Sequence, residues 1–229
     1  MMAKVSAIPP NTTLTEREAK AVLALYGVPV IGEELAQDAA AAAAASGKLG
    51  YPVAMKVESP DIPHKTEAGV IRLNLNSEAE LKTAFDAVMA SAGKAAPRAR
   101  INGVLIQPMA PAGLEMMAGG RIDEQFGPLI AVGLGGVMVE LMKDTALDLA
   151  PVTRVEARRM LDRLKGRKAL DGFRGMAPVG VAALADVVVR LSEFAADQQD
   201  LIREFDVNPL ICAGERIVAV DALIVRKSD

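Results

Sequence analysis

The chain has 229 residues, of which 51% are hydrophobic and 24% charged, enough apolar material for one or two packed domains. Its formal net charge of −3 leaves no basic surplus to collect a polyanion, so nucleic acid is set aside as a partner. A lone cysteine, Cys212, excludes an internal disulfide or a cysteine-based metal cluster, and the longest apolar stretch, 128–138, contains three glycines and falls short of the ~20 residues a membrane span needs.

The first eleven residues hold no continuous apolar run of the secretory kind, so a cytoplasmic location is expected. Thr15, with Glu18 three residues on, forms a capping box ahead of Ala19, Val22, Leu23 and Leu25, which predicts a short amphipathic helix stopped at Gly27. Residues 28–31 read as a strand. Asp38 heads an alanine run that ends at Gly50 and reads as a helix, since alanine is the strongest helix former. Residues 52–57 and 70–75 read as strands with a loop between them. Ser77 and Glu80 open a helix carrying Leu81, Ala84, Phe85 and Val88, ending near Gly93. Strands follow at 104–109, 114–118 and 129–134.

Thr153 and Glu156 form another capping box for a helix through Leu164, and 181–195 has the pattern of a further amphipathic helix. Strands at 202–207 and 217–224 close the chain, joined through Asn208-Pro209 and a turn at Ala213-Gly214. Strands often succeed one another without a helix between, which predicts α+β with antiparallel sheets rather than repeated βαβ units. Neither a P-loop nor a GxGxxG sequence is present.

Four constellations carry chemistry. Lys56 ends an apolar strand, where an ammonium serves a phosphate as a point charge, and beyond it Lys65, Thr66 and Gly69 form a turn whose amides could face an anion. His64, the only histidine, lies in the loop between; neutral imidazole is a nucleophile at physiological pH because its ordinary pKa is ~6.5. Glu204, Asp206 and Asn208 alternate with apolar residues and so share one strand face, with Asp221 expected opposite on a paired strand. Such oxygen donors suit Mg²⁺ on nucleotide phosphates. The fourth is the glycine cluster Gly133-Leu-Gly-Gly136, which lets a backbone approach closely but serves a mobile turn equally well.

Taken in order, PVAMKVESPDIPHKTEAGV, VLIQPMAPAGLEM, FGPLIAVGLGGVMVELMKD and EFDVNPLI followed by VAVDALI make the chain, over about 14–225, resemble the ATP-grasp (beta) subunit of ADP-forming acyl-CoA synthetases, relatives of succinyl-CoA synthetase. The resemblance implies an ATP-grasp fold with two subdomains, 14–109 holding the N-terminal helix and the His64 loop, and 110–229 holding a magnesium-binding sheet. It implies ATP/ADP and Mg²⁺ as cofactors, nucleotide contacts by Val53, Lys56, Lys65 and Glu115, adenine reading along Gln107, Pro108 and Met109, and metal ligation by Asn208 and Asp221 with Asp206 nearby. It further implies that His64 accepts a phosphoryl group from a phosphohistidine on a CoA-binding alpha subunit and passes it to ADP, so a hetero-oligomeric partner is expected.

Two departures from the family pattern stand out. Asp148 occupies the place of an arginine before Leu-Ala-Pro, and Asp123-Glu124 replaces an Asp-Pro. The alternatives are an ATP-grasp carboxylate–amine ligase, which needs no histidine loop, and a nucleotide-sensing module without turnover.

Overall fold

A computed structural model describes residues 12–62, 65–136, 144–172 and 175–227, and within them the chain forms two units. The first is Ile31–Ala110. Its elements are β1 (Glu34–Ala36), α1 (Ala39–Leu49), β2 (Val53–Glu58), β3 (Ile71–Leu75), α2 (Glu78–Ala95) and β4 (Gly103–Pro108), with an antiparallel sheet in the order β1-β4-β2-β3. Each helix begins where a side chain accepts a free backbone N–H: Asp38 from Ala41, and Ser77 from Glu80. Gly93 lies inside α2, which runs on to Ala95.

Alternation along β2 and β4 sorts their side chains onto two faces. Val53, Met55, Val57, Val104 and Ile106 pack with Ala42, Ala45, Leu81 and Val88 in one core beneath the helices. Ala54, Lys56 and Glu58 therefore share the opposite face, with Leu105 and Gln107 as their cross-strand neighbours.

The second unit joins the chain up to Val30 with Pro111 onwards. It holds α3 (Glu16–Leu25), β5 (Leu114–Asp123), β6 (Gly127–Leu134), β7 (Thr145–Leu149), α4 (Arg154–Asp162), a 3₁₀ turn (Arg167–Asp171), α5 (Val181–Asp197), β8 (Ile202–Ala213), β9 (Arg216–Ala219) and β10 (Ala222–Arg226). The sheet runs β10-β8-β5-β6-β7, with β9 also on β8, and all named strand pairs are antiparallel. Capping boxes at Thr15/Glu18 and Thr153/Glu156 open α3 and α4. Helices α3, α4 and α5 cover one sheet face, where Phe194 meets Tyr26 and Phe205 edge to face at 5.2 and 5.1 Å.

Four features differ from the sequence reading. The N-terminal helix was expected with 14–109, yet it belongs to the second unit: Leu14 N–H donates to the Ile224 carbonyl, Thr13 bridges Val225, and Val22 and Leu23 enter that unit's core. Residues 28–31 form no strand and contribute only a single parallel bridge, Val30 to Ala219. The expected strand 217–224 is two strands, because β9 pairs with residues 210–213 of β8 and β10 with 202–207, and Val220-Asp221 make the step between them. Strands β1 and β7 had not been expected: β1 is three residues long, and in β7 only Ala146 is buried, so neither shows a legible inward alternation. The α+β class and antiparallel sheets stand as read.

Candidate functional site

Strand β8, between β10 and β5, builds the acidic part of the site. Phe205 and Val207 are buried in the core, so Glu204, Asp206 and Asn208 turn to the sheet face that the helices leave open. A depression of about 330 Å³ on that face is lined by Met117, Gly119, Ala131, Glu204, Asp206 and Leu223 among others. Asp206 stands opposite Leu223 on β10 and Gly119 on β5. Gly119 is required there, because a methyl group would stand 2.8 Å from the Phe205 carbonyl and 3.1 Å from Asp206 Oδ1.

Asp221 comes beside this row from the step between β9 and β10 rather than from within a paired strand. The Asn208 N–H donates to the Asp221 carbonyl at 3.3 Å, and the Val220 N–H to the Pro209 carbonyl at 3.0 Å. Burial, with the Asp221 charge adding to it, pushes the Asp206 carboxyl up to about 6. The Asp206 and Asp221 carboxylates, close enough to repel, with Asn208 on the same strand face as Asp206, suit a hard cation, whose charge would offset the burial and the repulsion that raise Asp206. Among the described residues no three His, Cys, Asp or Glu side chains gather as a metal cage.

In the first unit, Lys56 and Gln107 share the sheet face turned away from the helices, and both are buried, at 4% and 1% exposure. The Gln107 amide is oriented by donating Nε2–H to Glu33 Oε2 at 2.9 Å. Val53 is fully buried, its side chain in the hydrophobic core and its strand paired on both sides by β3 and β4. Pro108 has no N–H, and the Met109 N–H is donated to the Pro52 carbonyl at 3.1 Å. Any base read along Gln107–Met109 is therefore met by carbonyl acceptors at its last two positions.

In the turn after Lys65, whose amides the sequence offered to an anion, the Gly69 amide is already bonded within the turn. The Gly69 N–H donates to the Thr66 carbonyl and the Val70 N–H to the Lys65 carbonyl, both at 3.1 Å, so these two amides close the turn. Lys65 itself is buried, at 9% exposure. His64 and Pro63 lie outside the described residues, and so do 137–143.

Glu115, exposed near the start of β5, lies under the glycine turn. Its carbonyl accepts the Gly135 N–H at 2.7 Å, and its Oε2 stands 2.8 Å from where a Cβ on Gly136 would be. The glycines thus permit a close approach to Glu115. Of the two departures, Asp148 pairs with Arg163 at 3.0 Å on the surface, and Asp123 accepts the backbone N–H groups of Gln125 and Phe126 in a turn. Sequence reading passed over Lys20, which is buried with Glu16 beside Val220; its signal was a lysine in the apolar phase of α3, between Ala19 and Leu23.

Comparison with known proteins gives the site a context. The ATP-grasp domain family model matches residues 8–225. The chain is 40% identical over 215 residues to the beta subunit of ADP-forming acetate–CoA ligase I from Pyrococcus furiosus, covering 94% of this chain and 92% of that one. A dinucleotide forming acetyl-coenzyme A synthetase 1 from Ca. Korarchaeum cryptofilum, solved with coenzyme A and Ca-AMPCP, superposes with a TM-score of 0.91 at 38% identity, with 94% of each chain covered. A second structure of that synthetase, with coenzyme A and Mg-AMPPCP, has its phosphohistidine segment pointing towards the nucleotide binding site; it superposes at 0.81 and 35% identity over 94% of this chain and 93% of that one.

Proposed function

The chain belongs to the ATP-grasp family of ADP-forming acid–CoA ligase beta subunits, and from that premise we propose that it binds Mg²⁺-nucleotide and relays a phosphoryl group between ADP and a CoA-binding partner subunit. The observation that carries the reading is the row of oxygen donors, Asp206 and Asn208 with Asp221 tied beside them, on the open face of the second unit's sheet. These residues are the ones that would hold Mg²⁺, which supplies charge neutralisation on the phosphate oxygens.

Each residue has a definite task. Lys56 offers its ammonium to the phosphates as a point charge, and Glu115 contacts the nucleotide from beneath the glycine turn. The carbonyls of Pro108 and Met109 accept from the exocyclic amine of adenine. His64 attacks the phosphorus carried by a histidine of the partner: its nitrogen forms the new N–P bond as the partner's N–P bond breaks. An oxygen of the ADP β-phosphate then attacks in turn, the His64 N–P bond breaks and ATP leaves. A nitrogen nucleophile divides one long transfer into two short in-line steps. The phosphohistidine segment directed at nucleotide in the Korarchaeum synthetase supports a relay of this kind.

The test combines the chain with its CoA-binding partner, acetyl-CoA, radiolabelled phosphate, Mg²⁺ and ADP. ATP should form, and acid-labile, base-stable label should appear on His64. A chain that binds ADP, supports ATP synthesis and never carries label would remove the relay and leave only nucleotide binding.

A further inference from the structure

On α3, Glu16, Ala19, Lys20, Val22 and Leu23 form the buried face. Two of these five are charged: Lys20 is 1% exposed and Glu16 is 3% exposed. Their ion pair, Lys20 Nζ to Glu16 Oε1, measures 2.8 Å. Withdrawing two charges from water is expensive, and an apolar pair of similar volume commonly serves a fold as well or better. Packing alone therefore does not account for an ammonium here.

A second bond of Lys20 shows what the ammonium does. Its Nζ donates to the Val220 carbonyl at 3.3 Å. Val220 and Asp221 lie in the step between β9 and β10, where ladder pairing does not fix the chain. Their main chain is held from the β8 side by Val220 N–H to Pro209 and Asn208 N–H to Asp221. Lys20 holds the same dipeptide from the helix side. We infer that Lys20, braced by Glu16, is a positioning residue that sets the place of the Asp221 carboxylate for the cation, an inference that rests on the metal reading proposed above. A carboxylate adjacent to an unanchored peptide would wander, whereas one bonded on two sides is pre-organised, as ligands tuned by outer-shell partners are.

Lys20→Met alone leaves Glu16 buried without its ammonium and endangers the fold, so the informative variant is the uncharged double change Glu16→Gln with Lys20→Met. The full chain is compared with it by thermal unfolding, by calorimetric titration of ADP with and without Mg²⁺, and by amide hydrogen exchange at 220–222 without metal. The double variant should fold and bind ADP normally without Mg²⁺. Its Mg²⁺-dependent gain in affinity should fall at least about tenfold, and exchange at 220–222 should quicken at least about tenfold. A folded double variant with the full gain and native exchange overturns the inference. Asp221→Ala in parallel separates two failures. If it too keeps the gain, the metal reading falls and takes this inference with it; if it loses the gain while the double variant keeps it, only the positioning role is wrong.

Discussion

Asn208 and Asp221 are joined main chain to main chain, the Asn208 N–H donating to the Asp221 carbonyl at 3.3 Å. That bond does not involve the Asp221 carboxylate, so it is retained when the side chain is shortened. Asp221→Ala should remain folded. Its ADP affinity in the presence of Mg²⁺ should fall on the order of tenfold or more, equal to about 1.4 kcal/mol. Calorimetry with metal present measures this directly, and an unchanged affinity removes the metal site.

Asp206 makes the metal-free protein sensitive to pH. Its folded carboxyl titrates at about 6 against an ordinary 3.8, because burial disfavours the charged form and Asp221 adds repulsion. Between these values the folded state binds more protons than the unfolded state, so stability falls as pH rises through about 4 to 6. The penalty is complete above that window. Asp206→Asn should therefore stabilise the metal-free chain at pH 7.5 by on the order of 2 kcal/mol, with little gain at pH 4. Urea unfolding in EDTA at both pH values checks the sign, and equal effects at the two would contradict it.

Much of this site was legible in the sequence because it obeys periods. Asp206 and Asn208 announced their shared face by alternating with Phe205 and Val207, whereas Lys56, read as the end of an apolar strand, lies inside β2, which runs on to Glu58. The capping boxes at Thr15 and Thr153 marked true helix starts because each pairs a hydroxyl with a carboxylate three residues later. What escaped depends on contacts far apart in the chain. Val218 to Val225 reads as one apolar run, and only its partners on β8 divide it at Asp221. The helix at 16–25 shows an apolar face, but which sheet it covers is decided by Leu14, Val22 and Phe194, which no local spacing reveals. The turn amides near Gly69 looked available to an anion because a sequence does not show which carbonyl takes them.

Gly135 tests the close approach under the glycine turn. A methyl group there would stand 2.9 Å from the Glu115 carbonyl carbon and 3.0 Å from its oxygen, both main-chain atoms that cannot swing aside. Gly135→Ala should cost about 1–3 kcal/mol of stability. It should also weaken ADP binding through Glu115. Denaturant unfolding beside calorimetry resolves the two effects, and a variant as stable as the unaltered chain would show that the turn has room to shift.

The preference for adenine follows from the end of β4. With Pro108 lacking an N–H and the Met109 N–H committed to Pro52, a base bound along this strand would meet carbonyl oxygens, which favour the exocyclic amine of adenine over the O6 acceptor of guanine. ADP should bind more tightly than GDP by about 1–3 kcal/mol, since one or two hydrogen bonds discriminate. Comparable thermal stabilisation by the two nucleotides would show that this strand does not select the base.

The proposed relay depends on His64. It is the only histidine in 229 residues and stands directly before Lys65 and Thr66. A phosphoryl group on its imidazole would carry negative charge next to the Lys65 cation. The Gly69 and Val70 amides contribute nothing to holding it, because they are spent on Thr66 and Lys65. Because the step is covalent, neither the nucleotide contacts of Lys56 nor the oxygen donors of β8 can replace the nitrogen. His64→Ala should lower ATP synthesis with the partner, acetyl-CoA and phosphate by at least about a thousandfold, while ADP affinity stays within about twofold. Label from phosphate should vanish from this chain and accumulate on the partner's histidine, one step upstream. A Lys65→Ala variant should still accept label but transfer it more slowly, which distinguishes the nucleophile from its electrostatic neighbour. If His64→Ala keeps near-normal turnover, the phosphoryl group passes directly from the partner to ADP and the relay assignment is wrong.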